Sequence, residues 1–174
     1  MTKYVLDTSA LIDLKNFYSP SRFEGLWEIF TQLNKEGKLL IIDKVKEEIL
    51  SGDDTDFLKN TFILDKAITK TDSDKNIAAT LMNTHFRKVC LIAGQKPGAS
   101  GIDRWAKSAD PFVIAYADLL QSSGEQILVI TSEKQKEGSF INMRFLCKQL
   151  KINFKGFTSI FELENIRFVA EKAK

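Results

Sequence analysis

Three short apolar runs constrain this chain more than any other feature: Lys3-Tyr4-Val5-Leu6, Leu39-Leu40-Ile41-Ile42 and Gln126-Ile127-Leu128-Val129-Ile130. They do not alternate apolar with polar residues, as a half-exposed strand would, so both faces of each must be covered. Between them lie stretches with helical spacing. Phe23, Leu26, Trp27, Phe30 and Leu33 recur at three and four and predict an amphipathic helix that ends at Gly37. Strands separated by helices imply an α/β fold, a three-layer α/β/α sandwich around a central, mostly parallel sheet.

The remaining segments fit that plan. A first helix is expected from Ser9, with Ser9 as its N-cap, and another over Lys44 to Leu50, stopped by Ser51-Gly52. Asp56 to Asn60 reads as a short helical piece, and about Asp74 to Val89 as a longer helix. Pro111 favours a helix start, with the apolar pattern continuing to Leu120 and ending near Ser122-Ser123-Gly124. Helices are expected over Phe140 to Leu150 and Ser159 to Phe168, with a last strand over Ile152 to Phe157.

A chain of 174 residues with 44% apolar residues can close one core unaided by disulfides or a structural metal. The glycine- and proline-rich stretch Gly94 to Gly101 is too short to link two domains. Residues 1–174 are therefore expected to form one domain, with an elaboration around 71–107. Cys90 and Cys147 belong to no CxxC pair and sit in apolar surroundings, as core thiols do. With 25 basic and 23 acidic residues, any nucleic-acid binding must come from a local patch. The first strand starts too early for a signal peptide, and no apolar stretch reaches the roughly 20 residues that span a bilayer. A cytosolic protein with no membrane partner is the expectation.

Four acids stand where chemistry is expected. In open α/β sheets, ligands collect beyond the C-terminal ends of strands; Asp7 follows the first run and Glu133 the third, through Thr131 and Ser132. Glu48 lies at the border of the apolar face of a helix containing Val45 and Ile49, whereas Glu47 points nearly opposite. Asp110 shares a helical face with Val113, Ile114 and Ala117. Each has a plain structural use as well: Asp7 or Asp110 could cap a helix, and the glutamates could be solvated charges. Taken together they suit a hard divalent cation, Mg²⁺ or Mn²⁺, which requires oxygen ligands and could activate water without a histidine. His85 is the only histidine and falls within an expected helix.

These residues carry a resemblance to the PIN-domain family, mostly metal-dependent ribonucleases and often toxins of toxin–antitoxin pairs of the VapC kind. The resemblance extends over nearly the whole chain. It rests on YVLDTSALIDL at the start, VKEEIL, ADPFVIAYA with its D-x-x-x-I-A-x-A spacing, and ILVITSE. It implies a metal-dependent endoribonuclease acting on single-stranded RNA, with Asp7, Glu48, Asp110 and Glu133 as catalytic metal ligands. Ser9 and Thr131 match hydroxyl positions near the site. A cognate antitoxin and a homodimer are the protein partners it suggests, and a catalytically weak module that binds RNA or a partner is the alternative. Many members carry aspartate where this chain has Glu133; Asp118, ranked ahead of Asp13 and Asp103, is the substitute expected for that position. Directly before Asp110, Arg104 and Lys107 suit phosphates and Trp105 could stack on a base, or else pack into the core.

Other phosphate chemistries fit less well. No G-x-G-x-x-G follows the first strand, as dinucleotide binding would require. An aspartyl-phosphate enzyme would want an acid two residues after Asp7, where Ser9 stands.

Overall fold

A computed structural model describes residues 1–52, 58, 68–69, 75–81, 91, 105–134 and 142–169. The expected helices over Asp56 to Asn60 and beyond residue 81, the Gly94–Gly101 loop, His85, Cys90, Asp103 and Arg104 lie wholly or mainly outside the described residues.

The three apolar runs form β1 (Lys3–Leu6), β2 (Leu39–Ile42) and β4 (Ile127–Ile130). Two further strands, β3 (Ile68–Thr69) and β5 (Phe154–Lys155), complete a sheet of order β3-β2-β1-β4-β5 in which every pairing is parallel. β1 is the central strand. Tyr4 faces Leu39 of β2 on one side and Leu128 of β4 on the other, and Tyr4, Val5, Leu6 and all of β4 are buried. Continuous apolarity over four residues is what a strand covered on both faces needs. The chain runs outward from β1 through β2 to β3, then returns to β1's other side with β4 and continues to β5. The order therefore reverses between β1 and β4, which opens a crevice at their C-terminal ends.

The helices are α1 (Thr8–Phe17), α2 (Glu24–Lys35), α3 (Asp43–Ser51), α4 (Lys75–Thr80), α5 (Asp110–Ser122), α6 (Met143–Leu150) and α7 (Ser159–Leu163). They make the outer layers of a three-layer α/β/α sandwich. As its spacing predicts, α2 buries Leu26, Trp27, Phe30 and Leu33. Phe30 stacks on Phe157 with ring centroids 5.4 Å apart, and Phe157 meets Phe161 edge-on at 5.3 Å, which joins α2 to α7. α5 buries Pro111, Val113, Ile114, Ala115 and Ala117 and packs against β1, β4, α4 and α6.

Helix ends follow local chemistry. Gly37 and Gly124 adopt φ of +69° and +88°, which lets Lys38 N–H reach the Leu33 carbonyl at 2.9 Å and Glu125 N–H the Leu120 carbonyl at 3.1 Å. Three expectations change. The first helix begins at Thr8 with Asp7, not Ser9, at the N-cap position. The last helix stops at Leu163 because Asn165 turns left-handed at φ 52° and Ile166 N–H closes back on the Phe161 carbonyl at 2.7 Å. The last strand has two residues because Ile152 N–H is taken by the Cys147 carbonyl and the Gly156 carbonyl by the Ser159 turn. The short β3 was not foreseen. Among the described residues, no helix is long and apolar enough to cross a membrane.

Buried Tyr4 ties the centre of the sheet to the end of α7. Its hydroxyl donates to Glu164 Oε1 at 2.6 Å, and Lys38 Nζ donates to Glu164 Oε2 at 3.0 Å. Burial, then the Glu164 carboxylate, raises the Tyr4 hydroxyl pKa, while the bonds from Tyr4 and Lys38 bring Glu164 below its usual value despite its own desolvation. Tyr4→Phe is expected to lower stability by about 1–2 kcal/mol in urea unfolding, since it removes one charge-assisted bond and keeps the ring. An unchanged midpoint would show that the bond contributes nothing net.

Candidate functional site

Asp7 is the first residue beyond β1, and Thr131 the first beyond β4. Asp7 N–H donates to the Ile130 carbonyl at 3.0 Å, so the chain holds the β4 pairing for one more residue before it turns into α1. The Asp7 carboxylate is thereby set into the crevice with only 2% of its residue surface exposed. It caps no first-turn amide of α1 through the usual side-chain bond. Ser9 Oγ and Thr131 Oγ1 both donate to its Oδ2, at 2.6 and 2.9 Å.

Each hydroxyl has one proton, here given to Asp7, so each must act as an acceptor toward anything else. Ser9 Oγ accepts from Ser132 N–H at 3.1 Å and Thr131 Oγ1 from Glu133 N–H at 3.2 Å. Through these bonds the turn after β4 is fastened to the start of α1. Ser9 is thus a clamp across the crevice and not the helix cap that its position suggested.

Glu48 projects from α3 and bridges two other elements. Thr8 Oγ1 donates to its Oε2 at 2.5 Å, and Ala109 N–H to its Oε1 at 2.6 Å. Ala109 is the N-cap position of α5 and has no side chain to cap with, so a glutamate from another helix satisfies this end. Lys44 Nζ lies 5.5 Å from the Phe112 ring centre, a second tie between α3 and α5. Glu133 behaves in the same way at α6, where its Oε2 accepts from Met143 N–H at 2.7 Å.

Asp110 stands in the first turn of α5, with its carboxyl pKa raised from 3.8 to about 8. Burial is the first cause, followed by the negative charges of Asp7, Glu133 and Glu48. Asp7 itself rises to about 6, because burial and the Glu133 charge outweigh the lowering effect of the Ser9 and Thr131 hydroxyls and of the Thr8 backbone N–H. Beneath them the buried Cys147 thiol is pushed up to about 12, first by burial and then by Asp7, Asp110 and Glu133. The N-termini of α1, α5 and α6 meet here, and their dipoles partly offset the accumulated negative charge.

All four sequence-predicted acids, with Ser9 and Thr131, are therefore brought to one end of the sheet. Among the described residues, however, no three acidic, histidine or cysteine side chains stand ready around one point to hold a metal ion. Glu48 and Glu133 face amide donors instead. Asp118, the expected substitute, sits eight residues along α5 from Asp110, roughly 12 Å at 1.5 Å per residue, and is not among the charges acting on Asp110. Asp13 is likewise carried away along α1 and stays partly exposed. Of the two uses open to Trp105, the structure shows packing in the core and not base stacking: the residue is only 4% exposed, and its carbonyl is held by Ser108 N–H at 3.0 Å. Lys107 is exposed. Thr8, Asn142 and the Met143 N–H were missed; only Thr8, beside Asp7, had a sequence signal.

A family model described as a domain of unknown function, DUF4411, matches residues 4–168. The chain belongs to this family. No curated protein and no solved structure matches it.

The raised acids fix the direction of a pH effect. Folded Asp110 keeps its proton up to about 8, while the unfolded carboxyl releases it near 3.8, so the folded state binds more protons across that window. The contribution of Asp110 to the stability of the metal-free protein is therefore greatest below the window and falls as pH rises through it. Asp110→Asn should flatten that fall in thermal melts with EDTA and stabilise the protein at the alkaline end. An equally steep fall in the variant would place the cost elsewhere.

Proposed function

We propose that this protein is a divalent-cation-dependent endoribonuclease that cleaves single-stranded RNA, in keeping with its resemblance to PIN domains. The observation that carries the reading is Asp110, whose carboxyl is lifted to about 8 by burial and three surrounding acids. Four carboxylates from four separate segments, gathered at the strand switch point, are a costly arrangement unless protons or a cation neutralise them.

The donor set suits Mg²⁺ or Mn²⁺, because every group is a hard oxygen. Asp7, Asp110, Glu48 and Glu133 would hold the ion. Such an ion supplies Lewis-acid chemistry, favouring ionisation of water and neutralising charge at the departing oxygen of a phosphodiester. The chain's own contribution is orientation: Ser9 and Thr131 fix the Asp7 carboxylate, and Glu48 fixes the amide end of α5 that carries Asp110. Action as the toxin of a toxin–antitoxin pair, in the cytoplasm and with an antitoxin or a second copy as partner, extends the proposal on the strength of the resemblance.

The test is cleavage of a labelled single-stranded RNA by purified protein with Mn²⁺ or Mg²⁺. Asp7→Asn and Asp110→Asn should each reduce the rate by about a hundredfold or more with the fold retained by circular dichroism, and EDTA should abolish it. A second reading, a PIN-like binding module with weak catalysis, is favoured by Glu48 and Glu133 already engaging amides. RNA binding without metal-dependent cleavage, unaffected by either substitution, would put that reading first.

A further inference from the structure

Arg144 occupies the second position of α6, in a first turn with no acidic residue. The partial positive charge of a helix N-terminus makes this an unfavourable place for a guanidinium. The group is half-buried, and among the described residues its Nε is shut off from water with no hydrogen-bond partner. Its Nη2 lies beside Gly156, 3.7 Å from where a Cβ there would stand. Gly156 directly follows β5, and Thr131 N–H bonds the Lys155 carbonyl at 3.1 Å. The Arg144 guanidinium is thus placed at the end of β5, the strand that pairs with β4.

A second unspent donor lies two residues before it in the chain. Asn142, the N-cap of α6, is 6% exposed; its Oδ1 accepts from Phe145 N–H at 2.8 Å, and its Nδ2 is buried without a partner. This end of α6 already holds one anion, since Met143 N–H binds the Glu133 carboxylate. Guanidinium, carboxamide and helix N-terminus are the groups that bind phosphate elsewhere, and here they flank an acid cluster that would repel it.

We infer that Asn142 and Arg144 form a phosphate subsite, which takes a backbone phosphate of the RNA neighbouring the one that is cut. The inference rests on the nuclease reading for its substrate, and assigns to α6 the backbone contact that sequence spacing suggested for the segment before Asp110. The α6 contact holds the strand against the repulsion of the acids, so its loss falls on substrate affinity more than on turnover.

The experiment measures binding of a fluorescent single-stranded RNA in EDTA across a salt series, alongside Mn²⁺-dependent cleavage. Arg144→Gln is expected to weaken binding about tenfold, and to lower the slope of log affinity against log salt by about 0.7, as for one lost phosphate contact on a single strand. Arg144→Lys should recover the salt slope but only part of the affinity, because it keeps charge without the fork. Asn142→Asp, which retains the acceptor for Phe145 N–H and loses the donor, should also weaken binding. If Arg144→Gln changes the melting temperature but neither affinity nor salt slope, the residue is structural and the subsite is overturned, while cleavage by the wild type would leave the nuclease reading standing. Arg144-dependent binding without cleavage would support the subsite and sink the nuclease. No RNA binding by the wild type would overturn the subsite as well.

Discussion

The arrangement depends on one buried carboxylate, Asp7, set between the ends of β1 and β4. Desolvation makes its charge expensive, and the two hydroxyls of Ser9 and Thr131 recover part of that cost through directed hydrogen bonds. Because each hydroxyl also accepts an amide from the turn after β4, the group that stabilises the acid also closes the crevice around it. The switch in strand order supplies the opening, and the hydroxyl clamp sets its shape.

Around Asp7, acids do structural work before any ligand arrives. Glu48 and Glu133 reach from their own segments to the N-terminal amides of α5 and α6. Those bonds satisfy helix ends, yet they also bring negative charge close to Asp110, whose proton is retained to about 8 by burial first and then by the charges of Asp7, Glu133 and Glu48. A cation and a proton are alternative solutions to the same electrostatic problem. Protonation is compatible with a quiet scaffold, and cation binding with catalysis, which is why metal-dependent cleavage discriminates between the two readings.

Phe30, Phe157 and Phe161 close α2 onto α7, and Tyr4 with Glu164 and Lys38 pins that closure to the central strand. Among the described residues, Asn142 and Arg144, on the helix end whose Met143 N–H binds Glu133, keep unspent donors. Trp105, which spacing alone could place on a substrate-facing lip, is taken by the core instead.

Much of the fold was legible because parallel strands buried on both faces leave an unmistakable pattern: β1 and β2 have the predicted bounds, and β4 lacks only Gln126. The four acids were also legible as types at strand ends and helix borders. Their bonds were not. Nothing in local spacing says that Glu48 must satisfy Ala109, 61 residues away, or that Thr131 must donate to Asp7, 124 residues away. Asp118 and Asp110 share a helix, yet the axial rise carries Asp118 from the site, so a shared helix misled where distance decided. Sequence by itself determined the three apolar strands, the helices that flank them and the presence of Asp7 at a strand end, because these follow from local periodicity and polarity. Tertiary structure alone decided that Asp7 would be buried and Asp110 hold its proton, because both depend on which distant charges and hydroxyls the parallel pairing of β1 with β4 brings together.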